Sequence, residues 1–283
     1  KSGSSIEANK AKQKVASKPN YEMKINALNA VDAHDQIKVD AGGAVNVSGV
    51  KSNITDNSTA KITVDNAKLS SVNDMILNAN GNVNMSADVA VSMYGAASAI
   101  GSDVFAGTTQ NNTISILNGG RVLSTGNLYA NAGQARGEKS EKFNISALSQ
   151  IWNKTLIPIT DNDAKAGLIT NNLINIDGAS AAQSQADIFL TSQRNNAQLN
   201  GQAITNTIYT GDNQGNSDDI KMSMKNSKYD RVNTNNSSVQ IDGSVRAGIS
   251  NSKDFAIDKA GNVTINGSAK EAKDFYYKKT VNL

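Results

Sequence analysis

Residues 174–178 read INIDG, an apolar–polar–apolar–polar–Gly phrase that returns as VNVSG at 45–49, VQIDG at 239–243 and VTING at 263–267, with a looser copy, ISILNG, at 114–119. Such alternation places the apolar side chains on one face of a β-strand. The closing Asp-Gly, Asn-Gly and Ser-Gly pairs tolerate the positive φ of a sharp corner. One such strand cannot bury its apolar face alone, so the phrase predicts many short strands that stack on one another.

The spacing of the strands favours a β-solenoid. Short alternations such as 37–39 and 62–64 follow one another along the chain, and two or three of them fit a coil of roughly 20–25 residues. We therefore predict an all-β fold, a right-handed parallel β-helix with irregular loop excursions, because parallel crossovers are right-handed. About a dozen coils, each rising ~4.8 Å, would make a rod of roughly 50–60 Å.

The composition suits a narrow stacked core. Apolar residues make up 38% of the chain and aromatic residues only 5%, which is too few large rings for a β-sandwich core of this length. Asparagine is very frequent. This residue accepts the left-handed conformation at corners, and asparagine side chains stacked at one coil position form hydrogen-bonded ladders. The regular alternation makes disorder the weaker interpretation.

Charge and cysteine content exclude several classes of function. The net charge is +3, with both signs mixed along the chain and no long basic run, so we expect no nucleic-acid partner. The absence of cysteine excludes thiol catalysis, cysteine-based zinc sites and disulfides. The sequence has no apolar run of about 18 residues, so we expect no membrane insertion by this segment.

Changes in the pattern divide the chain into six regions. Alternation is regular over most of the chain, but it is interrupted twice by stretches rich in charged or amide side chains. The predicted regions are 1–20, a loose or partial coil; 21–133, β-helix coils; 134–172, an irregular excursion; 173–192, a coil; 193–236, exposed polar strands and loops; and 237–283, coils that continue into a longer chain.

The first excursion carries the candidate binding residues. Residues 146–152 fit a short helix or an irregular strand, and Pro158 belongs on a strand edge. Trp152, the single tryptophan, either anchors the excursion on the solenoid or offers a ring on which a sugar stacks. The basic residues of the neighbouring charged loop complete the candidate surface: Arg136, Lys139 and Lys142.

His34 is the only histidine, so a metal site built on several histidines is excluded. It lies between Asp32 and Asp35 in a segment that we interpret as a polar surface turn. The alternative, a catalytic base, needs an activated serine beside it, and the sequence has no Gly-x-Ser-x-Gly elbow.

Two groups of carboxylates leave three interpretations open. Asp161 lies near Asp163, and Asp212 lies near Asp218 and Asp219. Each group suits a solvated acidic loop, a calcium site, or acid–base catalysis on an acidic polysaccharide. Neither group has the spacing of a helix–loop calcium site, and we predict no metal, no cofactor and no catalytic residue.

Three segments carry a resemblance to a known family. The run GNLYANAG at 126–133, the following TLIPI at 155–159 and the closing residues 269–283 resemble phrases in the large repetitive exoproteins related to fusobacterial leukotoxin and filamentous haemagglutinin. The resemblance implies a secreted bacterial surface filament with an adhesive, virulence-related role, commonly exported by a two-partner secretion route. Some members are toxic to leukocytes, and no catalytic residue is carried over.

The sequence thus predicts a structural and adhesive segment, extracellular on the bacterial surface. The expected partners are a host-cell surface protein or glycan, neighbouring bacterial cells, and the continuation of the same chain at both ends. Two alternatives stay open: a polysaccharide-degrading β-helix enzyme, and part of a leukotoxic exoprotein.

Overall fold

The computed structural model describes residues 4–8, 22–71, 73–134, 143–194, 197–210, 220–248, 256–257 and 263–264. These residues contain fourteen strands and no helix. The strands are β1 (Ser4–Ala8), β2 (Met23–Asp65), β3 (Ala67–Ser71), β4 (Met75–Leu117), β5 (Arg121–Ser124), β6 (Leu128–Ala132), β7 (Phe143–Ile176), β8 (Ala181–Ser184), β9 (Ile188–Ser192), β10 (Ala197–Thr210), β11 (Ile220–Ile241), β12 (Ser244–Arg246), β13 (Ala256–Ile257) and β14 (Val263–Thr264).

The long strands lie side by side and run parallel. Met23 pairs with Met75, 52 residues later, and Met75 pairs with Leu128, 53 residues later. Leu128 pairs with Ile188, 60 residues later. A short strand follows each long stretch, and the short strands β1, β3, β5, β8 and β12 form a second parallel sheet. We call one long stretch plus its short strand a rung: rung 1 is β2–β3, rung 2 is β4–β5, rung 3 is β6–β8 and rung 4 is β9–β12.

Each long stretch folds back on itself near its middle, so that it has a first arm and a second arm. In rung 2 the inward side chains are odd-numbered before Gly95 and even-numbered after the bend. Gly95 has a φ of +149°, and a Cβ at this position would overlap the carbonyl oxygen of Gly43 in rung 1. Glycine is therefore required at the bend. The inward faces of the arms meet: the hydroxyl oxygens of Ser102 and Ser149 lie 2.6 Å apart.

The two arms enclose two apolar cores. The first, which we call the closed lobe, has three walls: the start of the first arm, with Leu77; the end of the second arm, with Ile114; and the short strand, with Val122. The second, the arch lobe, lies between the arms near the bend and contains residues such as Val89, Ile100 and Phe143. Only the closed lobe is covered by the second sheet.

The all-β class and the parallel pairing are confirmed, but the predicted repeat length is wrong. Neighbouring rungs are 52 to 65 residues apart rather than roughly 20–25. Between Met23 and Asp65 the apparent short strands are consecutive parts of a single curled strand. The described residues therefore form four rungs instead of about a dozen coils.

The predicted excursion at 134–172 is also wrong from Phe143 onward. Phe143–Ile176 is a strand paired with β4 from Val83 to Ile116. The segment 146–152 is neither a helix nor irregular, because Ala147 and Ile151 alternate inward and are fully buried. Pro158 is at an edge, as expected: β10 pairs with β7 only up to Asn153, and β11 pairs with it only from Lys165.

The other predicted regions differ from the structure in smaller ways. Ser4–Ala8, in the region expected to be loose, pairs with β3. The region 173–192 spans the end of β7 and all of β8 and β9 rather than one coil. The polar region 193–236 contains β10 and part of β11, which pair antiparallel with each other. Beyond Arg246, β13 and β14 also pair antiparallel rather than as parallel coils. Most of 249–283 lies outside the described residues.

Asparagine ladders, predicted from the composition, are confirmed. On the outer face the Asn171 amide donates to Asn111 at 2.8 Å and accepts from Asn236 at 2.8 Å. Inside, the amide of Asn112 donates to Asn172 at 2.9 Å, and Asn172 donates to Asn235 in the next rung at 3.1 Å. The outer ladder joins positions that register equates, whereas the Asn172 amide reaches from its own position, which pairs with Ser237, to Asn235.

Candidate functional site

The structure places Trp152 on the outer face of the first arm of rung 3, close to the bend. Its strand position pairs with Ser92 of rung 2, and Lys154, two residues further on, pairs with Tyr94. The Lys154 ammonium lies 4.8 Å from the centre of the Tyr94 ring and 5.8 Å from that of Trp152. These three side chains form what we call the aromatic cluster.

Cation–π attraction holds the aromatic cluster together at the surface. Tyr94 is 39% exposed and Trp152 is partly exposed. Ring faces and an ammonium in one place suit a ligand that offers an apolar face beside acceptor oxygens, which is the chemistry of a sugar ring or a polar protein side chain. Because Trp152 lies within the regular strand β7, it does not anchor a loop on the solenoid.

The other residues of the predicted binding surface, Arg136, Lys139 and Lys142, lie outside the described residues. Sequence reasoning missed Tyr94 and Lys154. Lys154 is close to Trp152 in the chain, but Tyr94 is brought there by the 60-residue register between β4 and β7. No local pattern reveals that register, because it depends on the lengths of the connections between rungs.

The carboxylates Asp161 and Asp163 line a groove on the outer face of the second arm. In-register pairing brings Asp163 beside Asp103, and Asp161 beside Gly101. The groove has a volume of about 450 Å³. Lys51 closes one side of it, with its ammonium 3.2 Å from the Asp103 carboxylate. We call this the carboxylate groove.

The carboxylate groove has the wrong charge for an acidic polysaccharide. Among the described residues that line the groove, Asp103, Asp161 and Asp163 are acidic and Lys51 is the one cation, so a polyanion is repelled. For calcium, the described residues contain no cluster of three or more histidine, aspartate or glutamate side chains suited to a metal ion. Asp212, Asp218 and Asp219 lie outside the described residues.

His34 lies within a strand and not in a turn, which corrects the sequence-based interpretation. The inward alternation of its neighbours continues through it, so its ring projects from the outer face of β2. One ring nitrogen lies 2.8 Å from the Ser86 hydroxyl oxygen, and the other lies 2.8 Å from the Asp32 carboxylate. Hydrogen bonds from Asn84 and then from His34 lower the pKa of Asp32.

This serine–histidine–aspartate arrangement lacks the rest of a hydrolytic site. The side chain of Asp32 is 75% exposed and that of His34 is 52% exposed, on an open sheet face. The backbone around Ser86 is paired with rung 1 on one side and with rung 3 on the other. The local N–H groups are thus committed to the sheet, and none is left to form an oxyanion hole.

Comparison with family models, with curated protein sequences and with solved structures finds no match for this chain. Among the residues that the structure describes, no helix has the length and apolar character that a membrane crossing requires.

Proposed function

We propose that this chain is a parallel β-helix segment of a secreted bacterial surface filament, with a structural and adhesive role. The observation that carries the proposal is the in-register stacking of the rungs. Parallel pairs join β2 to β4 and β4 to β7 over almost their whole lengths. A fold that grows by adding equivalent rungs makes a stiff, extendable body, since each rung contacts only its neighbours.

The three walls of the closed lobe support the β-helical interpretation. Each rung turns from its second arm into a short strand of the other sheet and then returns to the first arm of the next rung. At the turn of rung 2, Asn118 and Gly119 have φ values of +53° and +84°, and Asn66 at the equivalent turn of rung 1 has a φ of +44°. Repetition of this turn in successive rungs is what a β-helix requires.

The adhesive part of the proposal rests on the aromatic cluster. Trp152, Tyr94 and Lys154 present ring faces and a positive charge on a rigid sheet face. Because the side chains come from paired strands, they are held in place without a loop having to be ordered on binding. The expected partner is a glycan or protein on a host cell or on a neighbouring bacterium.

The proposal assigns no enzymatic activity to this segment. The charge of the carboxylate groove disfavours an acidic polysaccharide substrate. The alternative of a leukotoxic parent protein stays open for the protein as a whole, and leakage of dye from liposomes incubated with this chain tests it directly.

The experiment is saturation binding of the labelled chain to epithelial cells, red cells and bacterial cells. Trp152→Ala and Lys154→Ala should weaken binding, while Gln150→Ala should leave it unchanged, because Gln150 lies on the same outer face one position away from the cluster. Circular dichroism checks that all three variants are folded. Absence of saturable binding by the folded chain would refute an adhesive site in this segment, and equal loss in all three variants would refute the aromatic cluster.

A further inference from the structure

Exposed apolar side chains are concentrated on one face beside the bend. The large apolar residues that are well exposed include Val45 at 73%, Val47 at 81%, Leu156 at 59%, and Ile157 and Ile159 at 63% each. All five follow the bend of their rung. Clustered apolar side chains on an otherwise polar surface indicate an interaction site.

Strand register aligns four of these residues, all except Leu156, in two columns across the rungs. Val45, Ala97 and Ile157 form one column across rungs 1 to 3, and Val47 and Ile159 flank Ala99 in the next. The alanines in rung 2 leave a shallow depression between larger side chains. We call this surface the tip face.

The tip face borders an open strand edge. Rung 4 leaves the sheet here, because β10 pairs with β7 up to Asn153 and β11 resumes at Lys165. In the described part of the chain, the backbone of residues 154–164 pairs with rung 2, except at Leu156, and has no ladder partner in rung 4. The side chain of Asn162 donates a hydrogen bond to the Ile204 carbonyl oxygen of rung 4. An unpaired strand edge accepts an added strand through backbone hydrogen bonds.

The carboxylate groove adjoins the tip face on the same arm. Its floor includes Gly49 and Gly101, and a Cβ added to either glycine would meet nothing within 4 Å. Beside this floor stand the carboxylates of Asp103, Asp161 and Asp163, with Lys51 as the one cation. A positively charged side chain laid along the floor would have room and would lie beside the Asp161 carboxylate.

We propose that the tip face and the carboxylate groove together bind an extended polypeptide segment in which basic residues accompany aliphatic ones. Aliphatic side chains of the partner cover the valine and isoleucine columns, and a lysine or arginine enters the groove beside Asp161. Charge complementarity favours this occupant: the groove is lined by three carboxylates and one ammonium, and a second copy packed through the same face would bring the same acidic lining and be repelled. The inference does not depend on adhesion to cells.

Fluorescence anisotropy tests this with a labelled synthetic peptide whose alternate positions carry two valines and then two lysines, separated by threonines, so that all four side chains lie on one strand face. Two control peptides carry glutamate in place of lysine, or serine in place of valine. The chain should bind only the lysine–valine peptide, and more weakly as salt rises, because screening reduces the attraction between its lysines and the groove.

Substitutions on the tip face and in the carboxylate groove, each with a control elsewhere on the surface, test whether the peptide binds there. Ile157→Thr/Ile159→Thr keeps the β-branched shape and should raise the dissociation constant about tenfold or more. Leu28→Thr, at a residue 57% exposed elsewhere on β2, should change it less than about twofold. Asp161→Asn/Asp163→Asn should weaken binding and flatten its salt dependence, whereas Asp40→Asn on the first arm should do neither.

Three outcomes would overturn the proposal. They are equal binding of the glutamate peptide, equal effects of Leu28→Thr and Ile157→Thr/Ile159→Thr, and no saturation up to about 1 mM peptide. Sedimentation of the chain without peptide decides the remaining case: a dimer that Ile157→Thr/Ile159→Thr dissociates would assign the tip face to a second copy instead.

Discussion

The closed lobe and the tip face contain the same sequence phrase in opposite environments. In INIDG at 174–178, Ile174 and Ile176 are fully buried in the closed lobe. In VNVSG at 45–49, Val45 and Val47 are 73% and 81% exposed on the tip face. The difference shows that alternation determines which residues share a strand face, whereas a neighbouring sheet determines whether that face is buried.

The second sheet makes this difference. At the end of each second arm, the chain turns through a residue such as Asn66 or Asn118, both with positive φ, into a short strand that covers the apolar face. Near the bend, the second arm packs its inward face on the first arm, and nothing in the described residues covers its outer face. Matched substitutions in the two regions should therefore differ in their effects on stability.

The largest difference in the free energy of unfolding is expected between substitutions of two isoleucines of β7. Ile174→Ala leaves a cavity in the closed lobe and should lower the free energy of unfolding by about 2–5 kcal/mol. Ile157→Ala on the tip face should change it by less than about 0.5 kcal/mol. Urea unfolding followed by circular dichroism measures both. Equal losses would mean that the tip face is buried in solution.

Two neighbouring asparagines, one buried and one on the outer face, should also differ in how much their loss destabilises the fold. Asn172 is buried and accepts from Asn112, so Asn172→Ala strands the Asn112 amide and should cost about 1–3 kcal/mol. Asn171 belongs to the outer ladder, where water replaces lost partners, and Asn171→Ala should cost less than about 0.5 kcal/mol. The same unfolding measurement applies, and a larger loss at Asn171 would contradict the assignment of the two faces.

Two glycines, one in each region, provide a third difference in stability, which arises from the backbone. A Cβ at Gly243 would overlap the carbonyl oxygen of Asp177, so Gly243→Ala should lower the free energy of unfolding by more than about 1 kcal/mol. Gly49 has open space around it, and Gly49→Ala should leave stability unchanged or raise it by up to about 1 kcal/mol. Thermal unfolding distinguishes these results, and a strong loss at Gly49 would mean that its surroundings are closed.

The smallest expected effect is on how the stability of the fold depends on pH. A hydrogen bond from the Ser180 hydroxyl, and then one from the Asn118 backbone N–H, lower the pKa of Asp177. The ionised carboxylate therefore stabilises the turn above pH ~4, near the value in an unfolded chain, and this contribution is lost as pH falls through the lower folded-state pKa.

Asp177→Ser should accordingly make the melting temperature fall less steeply between pH 5 and pH 2. Asp161→Asn, on the tip side, controls for the loss of one negative charge. An unchanged slope in Asp177→Ser would show that these hydrogen bonds do not stabilise the turn.

The sequence permitted correct prediction of the strand class, of parallel pairing, of the asparagine ladders and of Pro158 at an edge. Each depends on properties that one residue or one short run carries. The repeat length was not predictable from such runs, because the bend at Gly95 joins two alternating stretches into one strand with reversed parity. Rung 1 also hides its turn from a motif search, since ITVDN at 62–66 ends in Asn66 with no glycine after it, whereas the corresponding phrases in the other rungs end in glycine.

The candidate site was predicted only in part, for the same reason. Trp152 was identified because a single tryptophan in a polar stretch is conspicuous. Tyr94 and Asp103 joined the candidate surfaces only through pairing across 60 residues. Such contacts follow from register, and register depends on connection lengths that no local pattern specifies.

Crosslinking between introduced cysteines measures the stacking of the long rungs without interference, because the chain has no cysteine of its own. Ser86 and Ser146 are paired residues of adjacent rungs, so Ser86→Cys/Ser146→Cys should be bridged rapidly by a short thiol-specific crosslinker. In Ser86→Cys/Thr109→Cys the two thiols lie on opposite outer faces of one rung and should not be bridged. Coils of roughly 20–25 residues would place positions 86 and 109 side by side, so bridging of that pair, without bridging of 86 to 146, would contradict the account.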